Sequence, residues 1–255
     1  MISTATALPI KRGNRLFVEL ACRDDDIQEA QALRFRVFGE EMGATLKGSE
    51  SGLDVDKLDP YCRHLLVRES ETGRLVGCTR ILTDESAAPI GRFYSEGEFD
   101  IGSIRALPGR KLEVGRTCIA PDHRQGAAIA VLWSGLAGFV SLHGYDYLFG
   151  CASLPLGEQD LQAAGIMNRL RHQAMAGPEI RVTPRTPLQA TRVPDNVLDA
   201  PLPALVKAYV RLGAKACGEP CRDPDFGVAD VLMLLDMDEL KPAYSRHFLE
   251  RTRWT

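Results

Sequence analysis

A chain of 255 residues that is 45% hydrophobic and 25% charged fits a soluble globular protein, long enough for one large domain or two small ones. A formal charge of -3 and a pI near 6.0 give no global electrostatic support for a nucleic-acid partner. Seven cysteines, an odd number without a Cys-x-x-Cys pair, read as reduced thiols of a cytoplasmic protein; no metal site is expected, since Cys and His never fall into paired ligand spacing.

Residues 1–14 lack a basic residue ahead of an apolar run and read as a flexible lead-in, with one domain over residues 15–255. Arg15 to Ala21 alternates as a half-buried strand. Asp24 to Asp26 supply N-cap and first-turn carboxylates for a helix through Phe38 that ends near Gly43. Thr45 to Pro60, rich in Gly and Asp, reads as a long loop. His64 to Arg68 and Leu75 to Leu82 flank a polar, glycine-containing connection and predict a hairpin. A short helix is expected within Ser95 to Leu107.

Lys111 to Ile119 reads as a strand, Arg124 to Leu142 as a helix and Tyr145 to Ala152 as a second strand, a unit that predicts parallel pairing. The uncharged stretch from Gly126 to Tyr145 approaches bilayer length, but four glycines, two serines and His143 favour a helix buried within a domain. Glu158 to Gln173 is helical by pattern. Ala176 to Pro203, with six prolines, is read as extended surface chain; Ala204 to Leu212 as a helix closed by Gly213; Val228 to Met237 as a central strand; and residues around Tyr244 to Arg251 as a last helix.

Chemistry concentrates in Lys111 to Trp133, where a strand carrying Glu113-x-x-Arg116 runs through a basic, glycine-containing turn into an apolar helix. A strand end presents N–H groups to a thioester carbonyl, and a helix N-terminus favours a phosphate, so the layout suits a thioester-using acyltransferase. Arg124, Gln125 and Gly126 are the expected neighbours of a pantetheine phosphate. Glu113 has two readings, a general base for an attacking amine or a carboxylate bracing neighbouring arginines. Arg116 binds a substrate carboxylate through its planar fork or holds Glu113. Arg34, Asp56, Asp59 and Arg80 add both signs of charge for an amino-acid substrate. No Gly-x-Ser-x-Gly elbow, Gly-x-Gly-x-x-Gly turn, P-loop or His-Glu-x-x-His motif is present.

Arg34-Phe35-Arg36-Val37-Phe38, Asp56-x-x-Asp59, Gly77-Cys78-Thr79-Arg80 and Glu113-x-x-Arg116 resemble, in order and internal spacing, the N-acylhomoserine-lactone synthases, acyltransferases of GNAT-like fold. Where those synthases carry a tryptophan after the phenylalanine equivalent to Phe38, this chain has Glu41-Met42-Gly43-Ala44. The hemolysin-like branch, with the bacterial L-ornithine N-alpha-acyltransferases, is more similar. Phe38-Gly39-Glu40-Glu41-Met42-Gly43-Ala44, Phe93-Tyr94-Ser95-Glu96, Glu98-Phe99-Asp100, Glu113-Val114-Gly115-Arg116, Leu148-Phe149-Gly150-Cys151-Ala152-Ser153 and Asp223-Pro224-Asp225-Phe226 resemble it.

The resemblance implies an α/β, GNAT-like mixed central sheet flanked by helices, with a C-terminal extension. It also implies transfer of a 3-hydroxy fatty acyl group from acyl carrier protein to the α-amine of ornithine, giving lyso-ornithine lipid. The phosphopantetheine thioester is then a co-substrate and no cofactor is held. Glu113 and Arg116 are the implied catalytic pair, and Arg34, Phe38, Asp56, Asp59 and Arg80 the implied substrate-binding residues. A membrane-lipid precursor as product implies a cytoplasmic protein with peripheral contact at the inner membrane. Another amino acid such as glycine as acceptor, or a catalytically silent acyl-carrier or lipid-binding protein of the same fold, are the alternatives.

Overall fold

Alternating apolar residues at Leu16, Val18 and Leu20 make β1 (Leu16–Leu20), the first strand of a computed structural model that describes residues 15–46, 49–124, 126–188 and 200–240. The expected lead-in over residues 1–14 and the expected last helix around Tyr244 to Arg251 lie outside these residues. Contacts divide the described chain into two units, one of residues 15–86 and 114–144, the other of residues 87–113 and 145–240.

In the first unit β1 leads to α1 (Asp24–Arg34), β2 (Arg63–Glu69) and β3 (Leu75–Thr83); β4 (Lys111–Ile119) contributes its Val114–Ile119 part, and α2 (Ala127–His143) follows. The strand order is β1-β2-β3-β4, with antiparallel pairing of β1 to β2 and of β2 to β3. Gly73 at φ 72 turns the predicted hairpin. The helix cap differs from the expectation. Arg23 is the N-cap, and Asp26, one turn in, accepts the N–H groups of Cys22 and Arg23, both at 3.1 Å.

The expected single helix to Gly43 is also corrected. After Arg34 the chain widens into a π-helix over Phe35–Glu41, where the Met42 N–H reaches the Val37 carbonyl at 3.1 Å. This wider turn buries Val37 and Phe38 while α1 ends on the buried Arg34. The predicted buried helix is α2, packed on β1, β2 and β3. Gly135 lets it approach closely, since a Cβ there would lie 2.6 Å from Val18 Cγ2. Among the described residues no helix is long and apolar enough to cross a membrane.

In the second unit Lys111–Glu113 of β4 pairs in parallel with Tyr147–Phe149 of β5 (Tyr147–Pro155), the predicted parallel pairing. Then come α3 (Leu161–Gln173), α4 (Ala204–Leu212) and β6 (Val228–Asp236). β6 runs antiparallel to the whole of β5 and also receives the short strands Lys215–Ala216 and Cys221–Asp223. Its continuous burial from Val228 to Leu235 matches a run without polar alternation. Gly213 closes α4 at φ 111 as expected. The short helix expected within Ser95 to Leu107 is instead a turn (Ser95–Gly97), a two-residue strand (Phe99–Asp100) paired with Thr183–Pro184, and a single helical turn (Gly102–Arg105). Of the apolar residues with mixed spacing, Phe99 is buried on the short strand, Ile104 on the helical turn and Ile101 at the junction between them.

Candidate active site

The Gly- and Asp-rich stretch before β2 is a loop, and its three aspartates turn inward upon arginines from three other elements. Arg34, at the end of α1 and 1% exposed, donates from Nε to Asp54 Oδ2 at 2.8 Å and from Nη1 and Nη2 to Asp59 at 3.0 and 2.9 Å. Its Nη2 also donates to the Asp54 carbonyl. Arg80 on β3 lies 3.0 Å from Asp59 Oδ1 and 3.1 Å from Asp56 Oδ1. Arg116 on β4 donates to Asp54 at 3.1 Å and Asp56 at 3.3 Å. Gln31 Nε2 and the Asp56 N–H complete the shell of Asp59, and His64 Nε2 lies 3.1 Å from its carbonyl.

Three guanidinium groups and three carboxylates make this cluster charge-balanced, the condition under which buried charges are tolerated. Burial by itself pushes the Asp59 carboxyl up, but Arg34 and Arg80 outweigh it and hold the group well below the usual carboxylate range. Asp56 is likewise lowered: Arg80, the Leu58 N–H and Arg116 overcome its desolvation. Arg34 moves the opposite way, raised by Asp59 and Asp54 against burial. The four charged residues implied as substrate-binding, Arg34, Asp56, Asp59 and Arg80, are thereby brought into one network with Arg116. The network ties up Asp59 on both oxygens with protein donors.

Among the described residues Arg116 is one of three non-glycine residues with positive φ, here 53°, and it stands inside a strand. An L-residue there is in the left-handed region, which breaks the regular ladder and turns a stretch of backbone away from its neighbour. On β3 opposite, Thr79 Oγ1 contacts Thr117 Oγ1 at 2.7 Å and the Ala120 N–H returns to the Val76 carbonyl at 2.8 Å, so pairing resumes past the break. The two thiols of Cys78 and Cys118 face each other at 3.6 Å, both buried, with the Cys118 thiol raised by Cys78 and by burial.

Beyond β4, Arg124 Nε donates to the Ile119 carbonyl at 3.1 Å and its fork meets the Glu41 carboxylate, with Nη2 to Oε2 at 2.7 Å. Gly126 at φ 104 starts α2 with no side-chain cap on its first-turn N–H groups. Gln125 lies outside the described residues. Phe38 is buried within the π-helix.

The second unit carries Glu113, 3% exposed, whose Oε2 and Oε1 accept the N–H groups of Tyr94 at 2.6 Å and Ser95 at 2.8 Å. The unit also holds a group absent from the sequence reading. Glu98, Asp223 and Asp230 each place an oxygen within 4.8 Å of the others. Burial, then Asp230 and Asp223, push the Glu98 carboxyl up to about 9. The neighbouring Cys151 thiol is raised by burial and by Glu98, and the Tyr209 hydroxyl by burial, Cys151 and Glu113.

Asp54 is the member of this network that the sequence reading missed in the first unit. Its signal was present, two positions ahead of Asp56 in Asp54-Val55-Asp56. Glu98 and Asp223 fell within motifs quoted for resemblance alone, and Asp230 is the single charge inside an apolar run.

Residues 33–134 match the Acetyltransferase (GNAT) domain family. Over 250 residues the chain is 35% identical to the L-ornithine N(alpha)-acyltransferase of Rhodobacter capsulatus, covering 92% of this chain and 95% of that protein. It is 33% identical to the protein of the same name from Brucella abortus, covering 96% and 93%. In structure it is similar to FeeM, an N-acyl amino acid synthase from uncultured soil microbes, with TM-score 0.52 and 13% identity over 88% of this chain and 92% of that one. The CoA-dependent acyl-homoserine lactone synthase BjaI is similar at TM-score 0.54 and 14% identity, over 94% and 89%. These structural likenesses bear on fold, which is mixed α/β of GNAT type.

Proposed function

Because the chain belongs to the bacterial L-ornithine N(alpha)-acyltransferase family and is an acyltransferase, we propose that it transfers a 3-hydroxy fatty acyl group from acyl carrier protein to the α-amine of ornithine, giving lyso-ornithine lipid. The observation that carries the reading is Arg116: a left-handed residue inside β4, held by Asp54 and Asp56. The break supplies backbone donors for a thioester oxyanion, and the charges around it suit a zwitterionic amino acid.

In the reaction the neutral α-amine attacks the thioester carbonyl carbon. The C–N bond forms, the oxyanion collapses, and the C–S bond breaks to release the phosphopantetheine thiolate. The amine's proton passes to Glu113, directly or through water, and the leaving thiolate is protonated from solvent. One N–H bond to each carboxylate oxygen fixes the orientation of Glu113. Arg116, linked to Arg34 through Asp54 and to Arg80 through Asp56, offers the fork for the ornithine carboxylate. Arg124 and the uncapped start of α2 receive the pantetheine phosphate, which takes the place of the Glu41 carboxylate on the guanidinium. The amphiphilic product leaves through peripheral contact with the inner membrane, from a cytoplasmic enzyme that holds no cofactor.

The test is mass spectrometry of the purified protein with 3-hydroxyacyl carrier protein and an equimolar amino-acid mixture. An acylornithine product is expected. Acylation of glycine instead would retain the reaction and replace the acceptor, and no product from an active donor would turn the reading to a binding protein.

A further inference from the structure

We propose that Asp54 is a positioning residue that sets the Arg116 guanidinium in the site, an inference that rests on the role given to Arg116 above. Asp54 is 3% exposed, and its polar groups are tied to other elements. Its N–H donates to the Gln31 carbonyl at 3.1 Å, its own carbonyl accepts from Arg34 Nη2, and its Oδ2 is shared by Arg34 Nε at 2.8 Å and Arg116 Nε at 3.1 Å. The loop is therefore pinned to α1 through the same residue that reaches β4.

Of the two carboxylates that hold Arg116, Asp54 is the nearer and the more withdrawn from water, its side chain 4% exposed against 16% for Asp56 at 3.3 Å. A short, buried, charge-assisted bond to Nε fixes the plane of a guanidinium, and with it the direction in which the fork points. Arg34 depends on Asp54 less, because Asp59 holds both its terminal nitrogens. Loss of the Asp54 charge therefore falls chiefly on Arg116. Asparagine in its place keeps the size and an oxygen able to accept from both guanidinium groups, but it removes the negative charge, so both bonds lose their charge assistance.

Guanidinium rescue separates positioning from bracing. Arg116→Ala leaves Asp54 and Asp56 as a cradle for a free guanidinium ion, supplied as the chloride at millimolar concentration, too dilute to unfold the protein. Ornithine acylation by Arg116→Ala is expected to rise at least about tenfold with guanidinium, and the Arg116→Ala, Asp54→Asn double variant is expected to show no rise. The single variant Asp54→Asn is expected to lower kcat about tenfold or more with KM for the acyl donor unchanged. A second readout, the urea midpoint, is compared between Arg116→Ala and the double variant, so that rescue is scored in folded protein. Equal rescue in the two variants, or none in either, would overturn the positioning role. Full turnover by Arg116→Ala without guanidinium would instead overturn the site assignment on which it rests.

Discussion

Asp59 in one unit and Glu98 in the other are carboxylates withdrawn from water, yet their protonation moves in opposite directions. In both, burial is the largest influence and favours the neutral form. The difference is what stands opposite. Asp59 faces Arg34 and Arg80, whereas Glu98 faces Asp230 and Asp223. One unit has solved the problem of buried charge by pairing, the other by keeping a proton.

The sharpest way to break this contrast is to remove one partner of the paired cluster. Asp59→Ala leaves the three guanidinium groups to two carboxylates and is expected to cost about 3–5 kcal/mol, read as a lower urea midpoint with an unchanged m-value. A loss below about 1 kcal/mol would mean that the cluster is screened by water after all. Glu113→Gln tests the catalytic side. It is expected to reduce kcat by about 10²–10⁴-fold with little change in KM for the acyl donor, by steady-state kinetics. Unaltered turnover would leave Glu113 as the anchor of Tyr94 and Ser95 alone.

Smaller effects separate the two clusters by pH. A folded Glu98 that titrates at about 9, against an ordinary value of 4.5, takes up a proton on folding. Its contribution to stability is full below 4.5 and is lost as pH rises toward about 9. Asp59 has the opposite sign: its contribution is present above the ordinary 3.8 and disappears as pH falls through its lower folded value. Glu98→Gln is therefore expected to flatten the decline of Tm between 4.5 and about 9, and to leave the acid limb unaltered. A variant whose Tm falls as steeply as the wild type across that window would remove Glu98 from the account. Last, Glu41→Gln breaks an exposed pair with Arg124 and is expected to alter stability by at most about 1 kcal/mol, by thermal melt, while lowering KM for the acyl donor.

Much of this was legible in the residues because periodicity and turn chemistry act locally. The strand Lys111–Ile119, the helix Ala204–Leu212 with Gly213 behind it, and the hairpin through Gly73 all follow from patterns within a dozen residues. The π-turn after Arg34 was not legible, because an i to i+5 bond leaves the apolar spacing of Val37 and Phe38 compatible with an ordinary helix. The same limit applies to the site. Opposite charges on Arg34, Asp56, Asp59, Arg80 and Arg116 could be gathered from spacing and resemblance. Which oxygen meets which guanidinium depends on a loop fold that no periodicity encodes, and so Asp54 escaped. Asp223 and Asp230 are brought together by the local hairpin of Cys221–Asp223 with β6, whereas Glu98 joins them from a distant part of the chain, which no local pattern encodes.

At Gly135 the missing methyl works as a height gauge for α2. With Val18 2.6 Å from where a Cβ would stand, alanine acts as a wedge under the middle of a rigid rod. Lifting the rod there also lifts its first turn, at Gly126, nine residues and more than two turns away. If that first turn receives the acyl donor's phosphate as proposed, the grip at one end of the helix is calibrated by a residue that never meets the ligand. A single added carbon at position 135 would be felt as looser capture of the acyl donor.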